Sequence, residues 1–367
     1  MSTTIEKPVL ATPPAVVYRP GAAVFWVYVG AVALGTAFLL SADGTVFHES
    51  LSAQIALAPA WLAFATFLVW LMLRFDPYRS MRRHPQILVA ATALGGTAAV
   101  ALAMAGNAAL GEVWARVLPP DVLARWQAAL TAPVIEESAK AACAAVVLVL
   151  CATVCTRVSH ALLVGMFVGF GFDIVEDLAY ASGEALDSLD SDVVGAGANL
   201  IVRILTAVPA HWAYTGLAGV AVLLVLPSFA GEWSRSRRWA TAAALVVAAW
   251  FMHFLWDAPV PGNEAAAALL LLKVLVNLAV FLVPALLLLR TERRWVAERI
   301  GEAARGRTLA AYADVLDSLP TRRTRRALRR QARRTGGRDA AAAVRARQNA
   351  ALDAIQAGFS AAEPPSA

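Results

Sequence analysis

Eight apolar stretches dominate this chain, each close to the roughly 20 residues a helix needs to cross a bilayer core about 30 Å thick. They cover 22–41, 55–74, 86–106, 134–154, 161–181, 205–229, 239–258 and 266–289. In hydrocarbon every backbone N–H and C=O must be paired, and a helix pairs them within one segment. The expected fold is therefore all-α and polytopic, with about eight transmembrane helices. With 59% of residues hydrophobic and only 16% charged, a soluble globular domain is excluded.

The domain organisation follows from where the charge lies. Sixteen of the 29 arginines fall between Arg293 and Arg347, so the formal net charge of +6 belongs to the end of the chain. The expected division is a short segment 1–21, a membrane domain 22–290, and a basic Ala/Arg-rich helical tail 291–367, disordered at its end. The tail reads as a cytoplasmic segment kept inside by its charge, with the lipid bilayer as its neighbour and no nucleic acid expected. Within it, Leu309, Tyr312, Leu316 and Leu319 form an amphipathic register that predicts a short docking helix. The first 20 residues lack the basic cluster, short apolar run and small-residue site of a cleavable signal. Arg outnumbers Lys 29 to 3, the bias of a GC-rich bacterial genome, and one of the three lysines is Lys140. Cys143, Cys151 and Cys155 have no zinc-ligand spacing and read as small packing residues.

Positive charge alternates between connections. "RFDPYRSMRRHP" and "GEWSRSRR" are rich in Arg, whereas "SADGTVFHES", "SGEALDSLDSDVVGAG" and "APVPGNEAA" have neither Arg nor Lys. The positive-inside rule then puts both termini in the cytoplasm of a multi-pass inner-membrane protein. The 107–133 connection, broken at Pro119-Pro120, is expected to lie as an amphipathic element on the outer surface.

Ionisable residues inside four of the apolar stretches point to function, because such residues are costly in a membrane. Glu136 and Lys140 are four apart and share a helix face, while Glu137 points about 100° away. "FVGFGFDIVEDLAY" carries Asp173, Glu176, Asp177 and Tyr180, and its glycines leave room for a neighbouring helix. Arg203 precedes "VPAHWAYTG" with His211, and "HFLWD" sets His253 and Asp257 at i and i+4. Each residue has a structural explanation of its own: a carboxylate as a helix-dipole partner, a histidine as a hydrogen-bonded packing residue, Asp177 as a partner of Arg203. Under the eight-span topology, however, all four clusters fall at one depth near the outer leaflet. Carboxylates and imidazoles in a partly dry cavity suit water activation, with a glutamate as proton carrier and histidines as oxyanion donors or metal ligands.

In order and spacing, "EESAK", "GFGFDIVEDLAY", "HWAYTG" and "HFLWD" resemble the motifs of the PrsW family of intramembrane proteases. That family belongs to the superfamily of type II CAAX prenyl endopeptidases and bacteriocin-processing proteins. The resemblance covers about 134–258 and leaves the tail outside. It implies catalytic roles for Glu136, Glu137, Glu176, His211 and His253, with Lys140, Tyr180, Asp177, Asp257 and Arg203 in support. Glu136 is favoured as the base because Lys140 shares its face. The resemblance also implies one of two chemistries. Either a divalent metal such as zinc is held by Glu176, His211 and His253, or a glutamate acts without metal. Asp177 and Asp257 stand where Asn is commoner in the family. The implied reaction is cleavage of a membrane-anchored protein near the extracytoplasmic face, such as site-1 cleavage of an anti-sigma factor or similar regulator. An inactive scaffold docking through its tail and an ion-coupled transporter are the alternatives that the buried charges leave open.

Overall fold

The computed structural model describes residues 16–262, 264–306 and 309–358, and it is all α-helical apart from short 3-10 and π turns. The expected disorder at the end of the tail, and most of the segment 1–21, lie outside the described residues. Helices α1 (Ala23–Glu49) and α2 (Leu51–Met72) are followed by α3 (Pro85–Leu94), a π turn over Gly95–Ala99 and α4 (Val100–Val117). Then come α5 (Pro120–Leu150), α6 (Val158–Asp187), α7 (Asp192–Thr206), α8 (His211–Val225), α9 (Arg235–Asp257) and α10 (Ala266–Gly306). The tail adds α11 (Ala313–Leu316) and α12 (Arg322–Gln356).

Six of these units are long and apolar enough to cross a membrane: α1, α2, the α3–α4 run, α6, α9 and α10. The pair α7–α8, bent by 48° at a short break, makes a seventh if it counts as one span. The missing unit is the expected span 134–154. Any 18 consecutive residues of α5 contain Glu136, Glu137 and at least one further charge, so composition alone does not qualify it. Its charges face protein instead: Glu136, Glu137 and Lys140 are all buried. The 107–133 connection also differs from expectation. Rather than a separate surface element, it forms the end of α4 and the first turns of a continuous α5. Pro120 occupies the first turn of α5, where its missing N–H costs nothing, and the Leu118–Pro119 turn takes the break.

Helix α6 is the central post, and almost every residue from Val158 to Asp173 is buried. Its glycines allow backbones to touch. A methyl group on Gly169 would collide with the main chain of His211 and Trp212, and one on Gly171 with the main chain of Thr92. Close contact on two sides therefore fixes the start of α8 and the α3 face against one stretch of α6.

The basic connections gather at one end of the bundle. The Ala230 N–H donates to the Thr156 carbonyl at 2.9 Å, and Arg157 reaches Glu292 at 3.4 Å and the Gln356 carboxamide at 2.5 Å. Helix α10 has 41 residues, about 60 Å at 1.5 Å per residue, and so extends well beyond a bilayer core into the tail. There Val296, Leu309, Leu316, Leu319, Leu352 and Ile355 build a second small core around Tyr78 of the loop after α2. The docking helix expected around Leu309–Leu319 thus docks on its own tail. Gly337, at φ 80°, breaks α12 so that it folds back: Arg329 Nε reaches Gln348 Oε1 at 2.6 Å, although the two are 19 residues apart.

Candidate active site

Four elements bring their polar side chains into one layer beside α6. Helix α5 supplies Glu136, Glu137 and Lys140 on adjacent turns. The ammonium of Lys140 lies 2.8 Å from Glu137 Oε1 and 3.3 Å from Glu136 Oε2, with no exposed side-chain surface. It also sits 3.9 Å from the centre of the Phe172 ring. A buried cation shared by two carboxylates and an aromatic face is the arrangement that makes such charges tolerable away from water.

Helix α8 begins at the site because α6 caps it. The Asp173 carboxylate accepts from the backbone N–H groups of His211 (3.1 Å) and Trp212 (2.9 Å), taking the place of a local cap. That capping presents the His211 ring to the layer. Its Nδ1 meets Lys140 Nζ at 2.6 Å and its Nε2 meets Glu176 Oε2 at 3.1 Å. An ammonium only donates, so Nδ1 accepts and the proton on Nε2 points at Glu176. Glu176 is held in turn by Arg203 of α7 at 2.7 Å, and the same guanidinium pairs with Asp177 and covers the Tyr180 ring at 4.7 Å.

Helix α9 completes the layer. Nδ1 of His253 lies 3.0 Å from Glu137 Oε1, which fixes its ring. Its Nε2 faces Asp257 Oδ2 at 3.3 Å and Glu136 Oε2 at 3.8 Å. With a proton on Nδ1, three lone-pair-bearing atoms then face one another, and only a proton or a metal ion holds such a group together. The rings of His211 and His253 are 4.8 Å apart. Lys273 of α10 ties down the end of α9 by donating to the carbonyls of Trp256 (2.9 Å) and Ala258.

Every site residue expected from the sequence lies in this layer or directly on it, but their roles divide differently. The metal-ligand set expected was Glu176, His211 and His253. The three whose ligand atoms all lie within 4.8 Å of one another are Glu136, His211 and His253. Glu176 is instead shared between Arg203 and His211. A carboxylate oxygen and two imidazole nitrogens suit zinc, and Glu137 behind His253 is the second-layer carboxylate such a site uses. The donor set therefore fits a divalent ion, with one cost: His211 offers a nitrogen only by releasing Lys140 or Glu176.

A cavity of about 410 Å³ opens beside this group, lined by Glu136, Glu176, Tyr180, His211, His253 and Asp257 among others. Glu137 does not line it and is 1% exposed. It serves as a hub, accepting from Thr215 at 3.4 Å as well as from His253. The two adjacent glutamates thus part ways, one toward the cavity and one into the core. Sequence reasoning missed Asn107 of α4, whose carboxamide donates to Glu136 Oε1 at 3.0 Å. Its signal was a polar residue at the edge of an apolar run, in a segment assigned to a surface connection. Thr215, and Tyr214 whose ring centre lies 5.5 Å from that of His253, were missed as well; both follow His211 in the "HWAYTG" motif.

Residues 83–288 match the family model described as "PrsW family intramembrane metalloprotease". No curated protein and no solved structure matches the chain significantly.

Proposed function

The chain belongs to the PrsW family of intramembrane metalloproteases, and from that premise we propose that it hydrolyses a peptide bond in a membrane-anchored protein close to the extracytoplasmic face. The observation that carries this reading is the Glu136–His211–His253 group at the wall of the 410 Å³ cavity. In this reading α5 is an eighth crossing, its charges covered by protein. The basic connections and tail lie in the cytoplasm of the bacterial inner membrane, by the positive-inside rule. A single-span regulator such as an anti-sigma factor is the class of substrate we favour.

Glu136 takes the proton from water: it faces the cavity, and Asn107 fixes its Oε1. The water oxygen bonds to the peptide carbonyl carbon while the His211 Nε2–H, turning from Glu176 on the same cavity wall, stabilises the developing oxyanion; His253 is held by its Nδ1–H on Glu137. Glu136 then hands its proton to the leaving nitrogen as the C–N bond breaks. Glu137 and Lys140 keep Glu136 and His253 in place and carry no proton to substrate. When a divalent ion such as zinc is bound, Glu136, His211 and His253 hold it, and it supplies Lewis-acid polarisation of water and carbonyl. Glu176, beside His211 on the same cavity wall, is the second carboxylate able to carry a proton.

The test is cleavage of a single-span substrate by the full-length protein in proteoliposomes, with and without chelator. Glu136→Gln and His253→Ala are expected to lower product formation at least about a hundredfold while the protein stays folded. Cleavage at the unaltered rate by Glu136→Gln, Glu176→Gln and His253→Ala alike removes the reading.

A further inference from the structure

Another polar cavity, of about 200 Å³, lies between the loop after α2 and the folded-back arms of α12. Eight arginines line it. Arg74, Arg79 and Arg82 come from the loop. The first arm of α12 contributes four, among them Arg325 and Arg326, and the second arm contributes Arg345. Among the described residues the one acid on its wall is Asp76, whose carboxylate is committed to the loop, accepting from Ser80 N, Ser80 Oγ and Met81 N. Among the described residues only Arg79 of the eight has an acidic partner, Asp353 at 2.7 Å.

The rest of the cluster is held by neutral groups. Arg325 is buried at 6% exposure and donates to the carbonyls of Pro77 and Leu319. Arg82, Arg326 and Arg345 make no side-chain hydrogen bond or ion pair among the described residues. Burial, with the neighbouring Arg329 and Arg322, pulls the Arg325 guanidinium down to about 10. Burial and like-charged neighbours also lower Arg322 and Arg329. The fold therefore concentrates eight cations around a space with room for about seven waters, offset among the described residues by little more than the Arg79–Asp353 pair and Asp76. Such an arrangement is relieved by an anion from outside, and guanidinium forks match phosphate oxygens.

The place of the cavity points to the source of that anion. Leu73 lines it, one residue past the end of the apolar α2. Arg74 also lines it, and its guanidinium lies 4.4 Å from the ring of Trp70, which is 51% exposed on α2. An exposed Trp beside Arg at the end of an apolar helix marks the headgroup level. We propose that this cavity is a binding site for the phosphate group of an anionic phospholipid, held between the loop after α2 and both arms of α12. A basic pocket of this kind at the mouth of a helix bundle is a physical route to headgroup recognition. Occupancy would join the tail to the membrane domain through a shared counter-ion.

The test uses the full-length protein in neutral detergent, titrated with phosphatidylglycerol or phosphatidylcholine and read by native mass spectrometry and by the thermal unfolding midpoint. Phosphatidylglycerol is expected to bind and raise the midpoint, and phosphatidylcholine to do neither. The triple variant Arg82→Gln/Arg326→Gln/Arg345→Gln removes exposed, unpartnered cations of the cavity. It should weaken phosphatidylglycerol binding about a hundredfold, taking about 1 kcal/mol per basic residue. The triple Arg330→Gln/Arg333→Gln/Arg334→Gln removes the same charge from α12 away from the cavity and should change binding by less than about threefold. The single reversals Arg326→Glu and Arg330→Glu should repeat that contrast. Equal losses in both triples, or none in the first, overturn the site in favour of diffuse surface charge. Inorganic pyrophosphate binding to the cavity with no preference for phosphatidylglycerol over phosphatidylcholine overturns the lipid source.

Discussion

The two charged regions of this protein solve the same electrostatic problem in opposite ways. In the layer around α6 the buried Lys140 has Glu136 and Glu137, and the partly buried Arg203 has Glu176 and Asp177. Around the loop after α2, eight arginines face one cavity, and among the described residues a single one of them, Arg79, has an ion pair. Compensated charge inside a dry bundle is machinery that must hold its own geometry before substrate arrives. Weakly compensated arginines around a cavity complement an anion, which is the basis of the proposed lipid site. The difference also sets how each region should fail. The first should fail abruptly, in turnover where a cavity-facing group is lost and in stability where a buried pair is broken, and the second should lose binding in proportion to charge.

The sharpest break in that comparison is Glu136→Gln. It preserves shape and the contact to Asn107 but removes the carboxylate proposed as proton acceptor at the cavity wall. Turnover should fall by roughly 10²–10⁴-fold, the usual worth of a positioned acid–base group. Product formation measured with the protein's unfolding midpoint unchanged separates this from damage to the fold.

Lys140→Met tests compensation itself. The side chain is fully buried, so its loss leaves Glu137 charged and without its closest partner at 2.8 Å. Breaking a buried pair from one side costs about 3–5 kcal/mol, measurable by denaturant unfolding in micelles. Pairing it with Glu137→Gln should restore most of that loss, because the uncompensated charge goes too. If the double variant is no more stable than Lys140→Met, charge balance is not what holds the layer.

Gly169→Ala probes the seam on which both halves of the site depend. The added methyl meets the His211 main chain, so α8 must shift, at about 1–3 kcal/mol and with loss of activity. Gly183, on the same helix but with open space around it, is the control. Ala there should be neutral or slightly stabilising, since it removes only backbone entropy.

Most of this layer could be read in the sequence, because ionisable residues in apolar runs stand out and helical spacing says which share a face. Glu136 with Lys140 and His253 with Asp257 are four-residue pairs that the structure keeps. What spacing could not decide was the partition between helices. Lys140 approaches Glu137 more closely than the four-residue partner Glu136, because His211 arrives from another element and draws the ammonium inward. Asn107 escaped for a related reason: α4 and α5 run past the apolar limits of their sequence, so a residue assigned to a surface connection ends inside. The tail was legible as helical and basic. Its fold-back at Gly337 was not, since nothing in an Ala/Arg-rich run specifies which arm meets which until the small core around Tyr78 joins them.

The gentlest test lies in that tail, at the pair Arg347–Asp314, 2.6 Å apart and about half exposed on both sides. The Arg347 guanidinium, hydrogen-bonded to the carboxylate, holds Asp314 below the usual aspartate value of 3.8. A carboxyl whose folded pKa is depressed contributes stability above its unfolded pKa and loses it as pH falls through the folded one. The pair should therefore contribute a constant amount from neutral pH down to about pH 4 and fade below that. Solvent screening limits it to about 0.5 kcal/mol. Arg347→Ala should lower the unfolding midpoint slightly at pH 7, with the difference from the parent shrinking toward pH 3 and in high salt. A difference that stays constant on acidification would mean that Arg347 acts through its packing over Tyr312 and not through this carboxylate.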